Sequence, residues 1–155
     1  MAVSLSGQGN RLYPMGKSHL LDADIDILAT EPSSVAIYVA LVSTDYVPQS
    51  NDEFYSTAVS IPGYEVSTAA LAGSAITTDP SSPDFIVKFD ATDLTFSGVA
   101  AGSTIDKIVI YKEGTSGVDD YLIGLFMTGS AGPFSVVSND GDITIAWDSN
   151  GIFRL

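Results

Sequence analysis

The sequence predicts an all-β fold: a single-domain β-sandwich or jelly-roll-like barrel of about 7–8 antiparallel strands behind an extended N-terminal arm. Three observations carry this. Short apolar runs alternate with clusters of turn formers roughly every 8–12 residues. β-Branched and aromatic residues fill those runs, and no helix of three turns is evident. The 155-residue chain is 45% hydrophobic but only 16% charged, long enough for one packed core with a neutral, polar surface.

Residues 1–18 are rich in Gly, Ser and Asn, with apolar points at Leu5, Leu12, Tyr13 and Met15. An arm with so many apolar residues is expected to lie on its own domain or, the favoured case, on a neighbouring molecule. The domain proper is placed at 19–155. The stretch HLLDADIDILAT (19–30) sets Asp22, Asp24 and Asp26 at alternate positions among Leu21, Ile25 and Ile27. Carboxylates two apart suit a calcium loop, but the tight-turn glycine is missing, and acid–apolar alternation is strand geometry. A weak metal site there stays open.

The run SVAIYVALV (34–42) is apolar on both faces, with Val35, Ile37, Val39 and Leu41 on one and Ala36, Tyr38, Ala40 and Val42 on the other. It predicts a central strand covered on both sides. Asn51, ahead of Asp52 and Glu53, is a candidate cap for a helical turn over Phe54 and Tyr55. GYEVSTAALAG (63–73) is a weak, Ala-rich strand. DFIVKFD puts Phe85, Val87 and Phe89 on one side, and DLTFSGV does the same with Leu94 and Phe96. KIVIYKE (107–113) sets Ile108 and Ile110 against Val109 and Tyr111. YLIGLFMTG (121–129) is apolar on both faces, and DITIAWD (142–148) points Ile143, Ile145 and Trp147 inward. The expected core comprises Val35, Ile37, Val39, Leu41, Phe85, Val87, Phe89, Phe96, Ile108, Ile110, Leu122, Leu125, Ile143, Ile145 and Trp147.

Charge is uneven. The net charge is −13, yet residues 1–21 hold Arg11 and Lys17 and no acid. The body therefore disfavours nucleic acid, whose phosphates need clustered Lys and Arg. No run reaches the ~20 apolar residues of a membrane helix, and the N-terminus has no secretory signal pattern. With no cysteine, thiolate metal sites and disulfides are excluded.

Catalytic patterns are thin. His19 is the only histidine, with no GxSxG around any serine, and a surface or packing role is expected. GQG (7–9) is too short for a dinucleotide fingerprint. Asp52-Glu53, Asp119-Asp120 and Asp140/Asp142 are carboxylate pairs by type, but each lies in a turn-rich segment. SNDGDIT (138–144) opens like a calcium loop but has Asn150 where Glu is required, and reads as an Asn-Asp-Gly turn. The expectation is a non-enzymatic protein with no cofactor.

The segments HLLDADIDILATEPSSVAIYVALVSTDYVP, GYEVSTAALAGSAIT, KFDATDLTFSGV followed by IDKIVIYKEG, and finally YLIGLFMTGS and GDITIAWDSNGIFRL run in the order of a family of small β-rich virion proteins of tailed bacteriophages. The resemblance spans roughly 19–155. One departure is clear: the family's first long strand has the form I-K-V-A-L, and VAIYVAL has no Lys. The resemblance implies a virion structural protein, foremost a capsid decoration or cement protein that binds and stabilises the shell of major capsid protein. It further implies a homo-oligomer, with a trimer favoured, in a virion assembled in the host bacterial cytoplasm. The alternatives are a tail, neck or head-fibre component, and, outside the virion, a carbohydrate-binding β-sandwich module. Expected partner contacts are Leu5, Arg11, Leu12, Tyr13, Met15 and Lys17 in the arm. The acidic body would face solvent.

Overall fold

The structure, a computed structural model, describes residues 2–5, 10–21, 36–78, 87–114 and 120–154. Val35, Phe85 and the Asp22, Asp24 and Asp26 run lie outside them. The described residues form an all-β, sandwich-like fold. The main sheet has the order β2 (Arg11–Leu12), β9 (Tyr121–Phe126), β8 (Thr104–Lys112), β3 (Ile37–Ser43), β4 (Glu65–Ala70), all antiparallel, with β12 (Val136–Val137) added at one end of β8. Two small sheets lie against it: β1 (Ala2–Leu5), β13 (Ile143–Trp147) and β7 (Leu94–Phe96), and then β14 (Phe153–Arg154), β6 (Val87–Asp90) and β5 (Ala75–Thr78). A two-residue hairpin pairs β10 (Thr128–Gly129) with β11 (Gly132–Pro133). The helix α1 (Pro14–Leu21) and a π-helical turn, Ser56–Ser60, complete the elements.

The expected central strand is β3, and its two faces feed two separate cores. Ile37, Val39 and Leu41 pack with Ile108, Ile110, Ile123 and Phe126 of the main sheet and with Phe89, Phe96, Ile143, Ile145 and Trp147 of the small sheets. Ala40 and Val42 point the other way, with Val109, Tyr111, Leu122 and Leu125. The alternation read for 107–113 and 142–148 holds strand by strand. Val87 is only half-buried.

Strand β9 departs from strict alternation. Ile110 faces Gly124 while the next residue, Tyr111, faces Leu122, so Ile123 is an extra residue in a bulge. The phase shift puts Leu122 and Leu125, an odd number of residues apart, into the same core.

The N-terminal residues that are described lie on the chain's own sheets. Strand β1 runs parallel to β13, with Leu5 beside Trp147, the one parallel pairing among the described strands. Strand β2 pairs with β9, and α1 continues through residues 18 and 19. Tyr13 is 3% exposed. The turn over Tyr55 exists, but its N-cap residue is Tyr55 itself, with no side-chain cap bond, so Asn51 does not cap it.

Pro14 opens α1 at the position where a missing N–H is harmless. Gly16 then lets the helix sit directly on the β9 backbone: a Cβ there would collide with the Leu122 carbonyl oxygen and press on Ile123 at 3.1 Å. Gly16→Ala should therefore destabilise by about 1–3 kcal/mol in urea unfolding, despite alanine's better helix propensity. Trp147 is buried, its Nε1–H donates to the Thr92 carbonyl at 3.0 Å, and its ring meets Phe126 edge-on. Trp147→Ala should lower stability by about 3–5 kcal/mol. A change within about 0.5 kcal/mol would mean that the indole is exposed in solution.

Candidate docking cleft

The chain's second core is built from tyrosines. Six of the seven, Tyr13, Tyr38, Tyr46, Tyr55, Tyr64 and Tyr111, gather on one face of the main sheet. In sequence they are scattered over separate segments; strand pairing and the 46–60 segment bring them together. Tyr55 stacks on Tyr111 with centroids 3.8 Å apart, and Tyr111 stacks on its cross-strand partner Tyr38. Tyr13 and Tyr46 share a hydroxyl–hydroxyl bond of 2.8 Å, and Tyr46 Oη donates to Asp52 Oδ2. Tyr55 Oη donates to Glu65 Oε2. Tyr13, Tyr46, Tyr55 and Tyr111 are buried, so this is an internal layer and not an exposed aromatic row of the kind that stacks on sugars.

That layer anchors the strand that carries the arm's cations. Asn10 clamps the start of β2: its Oδ1 accepts from the Met127 and Thr128 N–H groups and its Nδ2 donates to the Thr128 carbonyl. At the other end, the Tyr13 N–H donates to the Ile123 carbonyl. With both ends fixed, Arg11 is exposed on β2, Lys17 is exposed on α1, and Leu12 is half-buried between them. These three line a cleft of about 520 Å³ together with Phe126, Phe153 and Arg154. Arg11, Leu12 and Lys17 also border a neighbouring cleft of about 410 Å³ that reaches Pro48 and Gln49.

Three of the chain's six basic residues thus converge on one cleft that has no carboxylate among its described lining residues. Elsewhere, Lys107 is buried and paired with Asp106 at 2.6 Å. Of the expected contact residues, Arg11, Leu12 and Lys17 reach the main cleft. Met15 is half-buried on α1, and Leu5 is placed as a strand residue of β1. Tyr13 borders the second cleft but is a core residue with its hydroxyl bonded to Tyr46, so its side chain is not a free contact. Sequence reasoning missed Arg154, Phe153 and Ile152. The signal was the closing IFRL, an apolar pair running into the only base after Lys112.

Of the carboxylates considered for catalysis or metal, Asp120, Asp140 and Asp142 serve the backbone. Asp140 and Asp142 accept the Ala101 and Gly98 N–H groups, Asp120 accepts that of Gly114, and Asp140 sits at a positive φ of 62° in the expected Asn-Asp-Gly turn. Asp119 lies outside the described residues. Glu53 bonds His19 Nε2 at 3.0 Å, and the imidazole packs against Tyr121. His19 therefore ties α1 to the loop before the π-helical turn, the packing role expected of it. Among the described residues no three His, Asp or Glu side chains cluster as metal ligands would.

No protein-family model, curated protein or solved structure matches the chain.

Burial, aided by neighbouring carboxylates, pushes the phenol pKa values of Tyr13, Tyr46, Tyr55 and Tyr111 well up. The folded chain holds these protons above the unfolded tyrosine pKa of about 10, where the unfolded chain releases them. Their contribution to stability is thus full below pH ~10 and falls as pH rises above it. In an alkaline titration, phenolate absorbance from these four residues should appear only together with loss of β-sheet circular dichroism. Full phenolate absorbance with the sheet signal intact would show the layer open to water.

Proposed function

We propose that the protein is a non-enzymatic structural component of a tailed-bacteriophage virion, foremost a capsid decoration or cement protein that docks on the shell of major capsid protein. The observation that carries the docking part is the cationic, apolar-floored cleft formed by Arg11, Leu12, Lys17 and Arg154 on a chain of net charge −13. The virion part rests on the resemblance of the order of sequence segments to that of small phage structural proteins. A rigid β-sandwich suits a part that must present one fixed surface in many copies, because symmetric repetition turns a modest contact into a strong one. In this reading copies group as trimers around three-fold points of the shell, and the acidic body keeps the decorated particle soluble.

Removing residues 1–18 would not test this, since it takes out Tyr13 and two paired strands along with the cations. Charge reversal at the exposed pair does. Arg11→Glu/Lys17→Glu should keep its circular dichroism and weaken binding to purified phage heads roughly tenfold in co-sedimentation, the scale of a few partly exposed ion pairs. Undiminished decoration by this variant would overturn the docking surface. Stoichiometry on the particle separates a decoration protein, present at every lattice position, from a tail, neck or fibre part confined to one vertex.

A further inference from the structure

We infer that the cleft between β2 and β14 binds an extended acidic peptide segment of a partner protein, with its carboxylates on Arg11, Lys17 and Arg154 and its backbone along the open edge of β2. The inference rests on the docking reading above and names the chemistry of what docks.

Two sheet edges meet at this cleft. Strand β2 ends the main sheet and β14 ends a small one, and both contribute lining residues. The Tyr13 N–H donates to Ile123, so antiparallel alternation makes Leu12 the residue of β2 whose N–H and C=O point away from β9. An edge of this kind, unpaired among the described residues, is a template for an added strand. The cleft is a narrow one of this type, since β2 offers a single outward pair, and side chains must supply the rest of the recognition.

They are placed for it. Three cations stand around a floor of Leu12, Phe126 and Phe153. An extended strand presents successive side chains to opposite faces. A segment in which acids alternate with apolar residues can therefore set its apolar side chains on that floor and its carboxylates toward the guanidinium and ammonium groups. The fork of Arg11 matches a carboxylate well, and Arg154, whose Nε donates to the Asn150 carbonyl at 3.1 Å, can offer its terminal Nη groups to another. A polyphosphate is the poorer fit. It has no backbone to pair with Leu12, and its further charges would face a body that carries the chain's nineteen acids.

Fluorescence anisotropy with the full chain and a short labelled peptide of alternating Asp and Val tests this without any particle. Saturable binding is expected that weakens with added salt. The Asn-for-Asp peptide should bind roughly tenfold more weakly, and Arg154→Glu should show a similar loss. N-methylation of alternate peptide amides should abolish binding in one phase and be tolerated in the other, as pairing with one edge requires. Equal binding of the Asp and Asn peptides, no binding of either, or tighter binding of a single-stranded oligonucleotide would overturn the inference. If the Asp peptide fails but Arg11→Glu/Lys17→Glu still loses phage heads, the acidic-segment inference falls and the docking reading stands. If the peptide binds while that variant decorates heads normally, the reverse holds.

Discussion

The main sheet must be covered on both faces, and the rest of the structure follows from that. Strands β3, β8 and β9 carry large apolar side chains in both directions, so leaving either face wet would forfeit roughly 1.5–3 kcal/mol for each one exposed. One face is closed by the small sheets, in ordinary sandwich fashion, around Ile143, Ile145, Trp147 and Phe89. Among the described residues the other has no second sheet. It is closed by the 46–60 segment and Tyr13, and aromatic rings provide most of the bulk. Tyrosine suits such a cover: a ring large enough to fill the space between a sheet and an irregular segment, with a hydroxyl that must find a partner when buried. The Tyr13–Tyr46–Asp52 chain and the Tyr55–Glu65 bond meet that requirement.

The proposed docking surface and the fold's anchoring residues are thereby joined in one short segment. Residues 10–17 hold Asn10, Tyr13 and Gly16, which fix the segment to β9, and next to them Arg11, Leu12 and Lys17, which line the cleft. Alternation in β2 turns Tyr13 into the tyrosine layer and its neighbour Leu12 the other way, while Arg11, two residues before Tyr13, borders both clefts. A surface held this firmly loses little conformational entropy when a partner arrives, the advantage of preorganisation in binding.

The isolation of the cations sharpens their role. In a chain with nineteen acids, three bases around a cleft with no carboxylate among its described lining residues create a local positive field within a negative body, with Asp148 near enough to Arg154 to feel its charge. Lys107 shows the alternative, with its charge matched by Asp106 next to it in sequence. Asp120, Asp140 and Asp142 are likewise engaged, by backbone N–H groups that their turns would otherwise leave without partners.

By itself the sequence determined the all-β class, a doubly buried strand within 34–42, the inward sets Ile108/Ile110 and Ile143/Ile145/Trp147, the turn at 138–144, and the placement of Arg11 and Lys17 in an N-terminal stretch without acids. All of these are local, because alternation and turn chemistry are written over a few consecutive residues. Only the tertiary structure decided that Ile123 forms a bulge, that the N-terminal residues lie on their own sheets, that scattered tyrosines form one layer, and that Arg154 joins Arg11 and Lys17. Each of these depends on which distant segments become neighbours. That is fixed by the pairing of strands and the filling of space between layers, which no periodicity within a single run records.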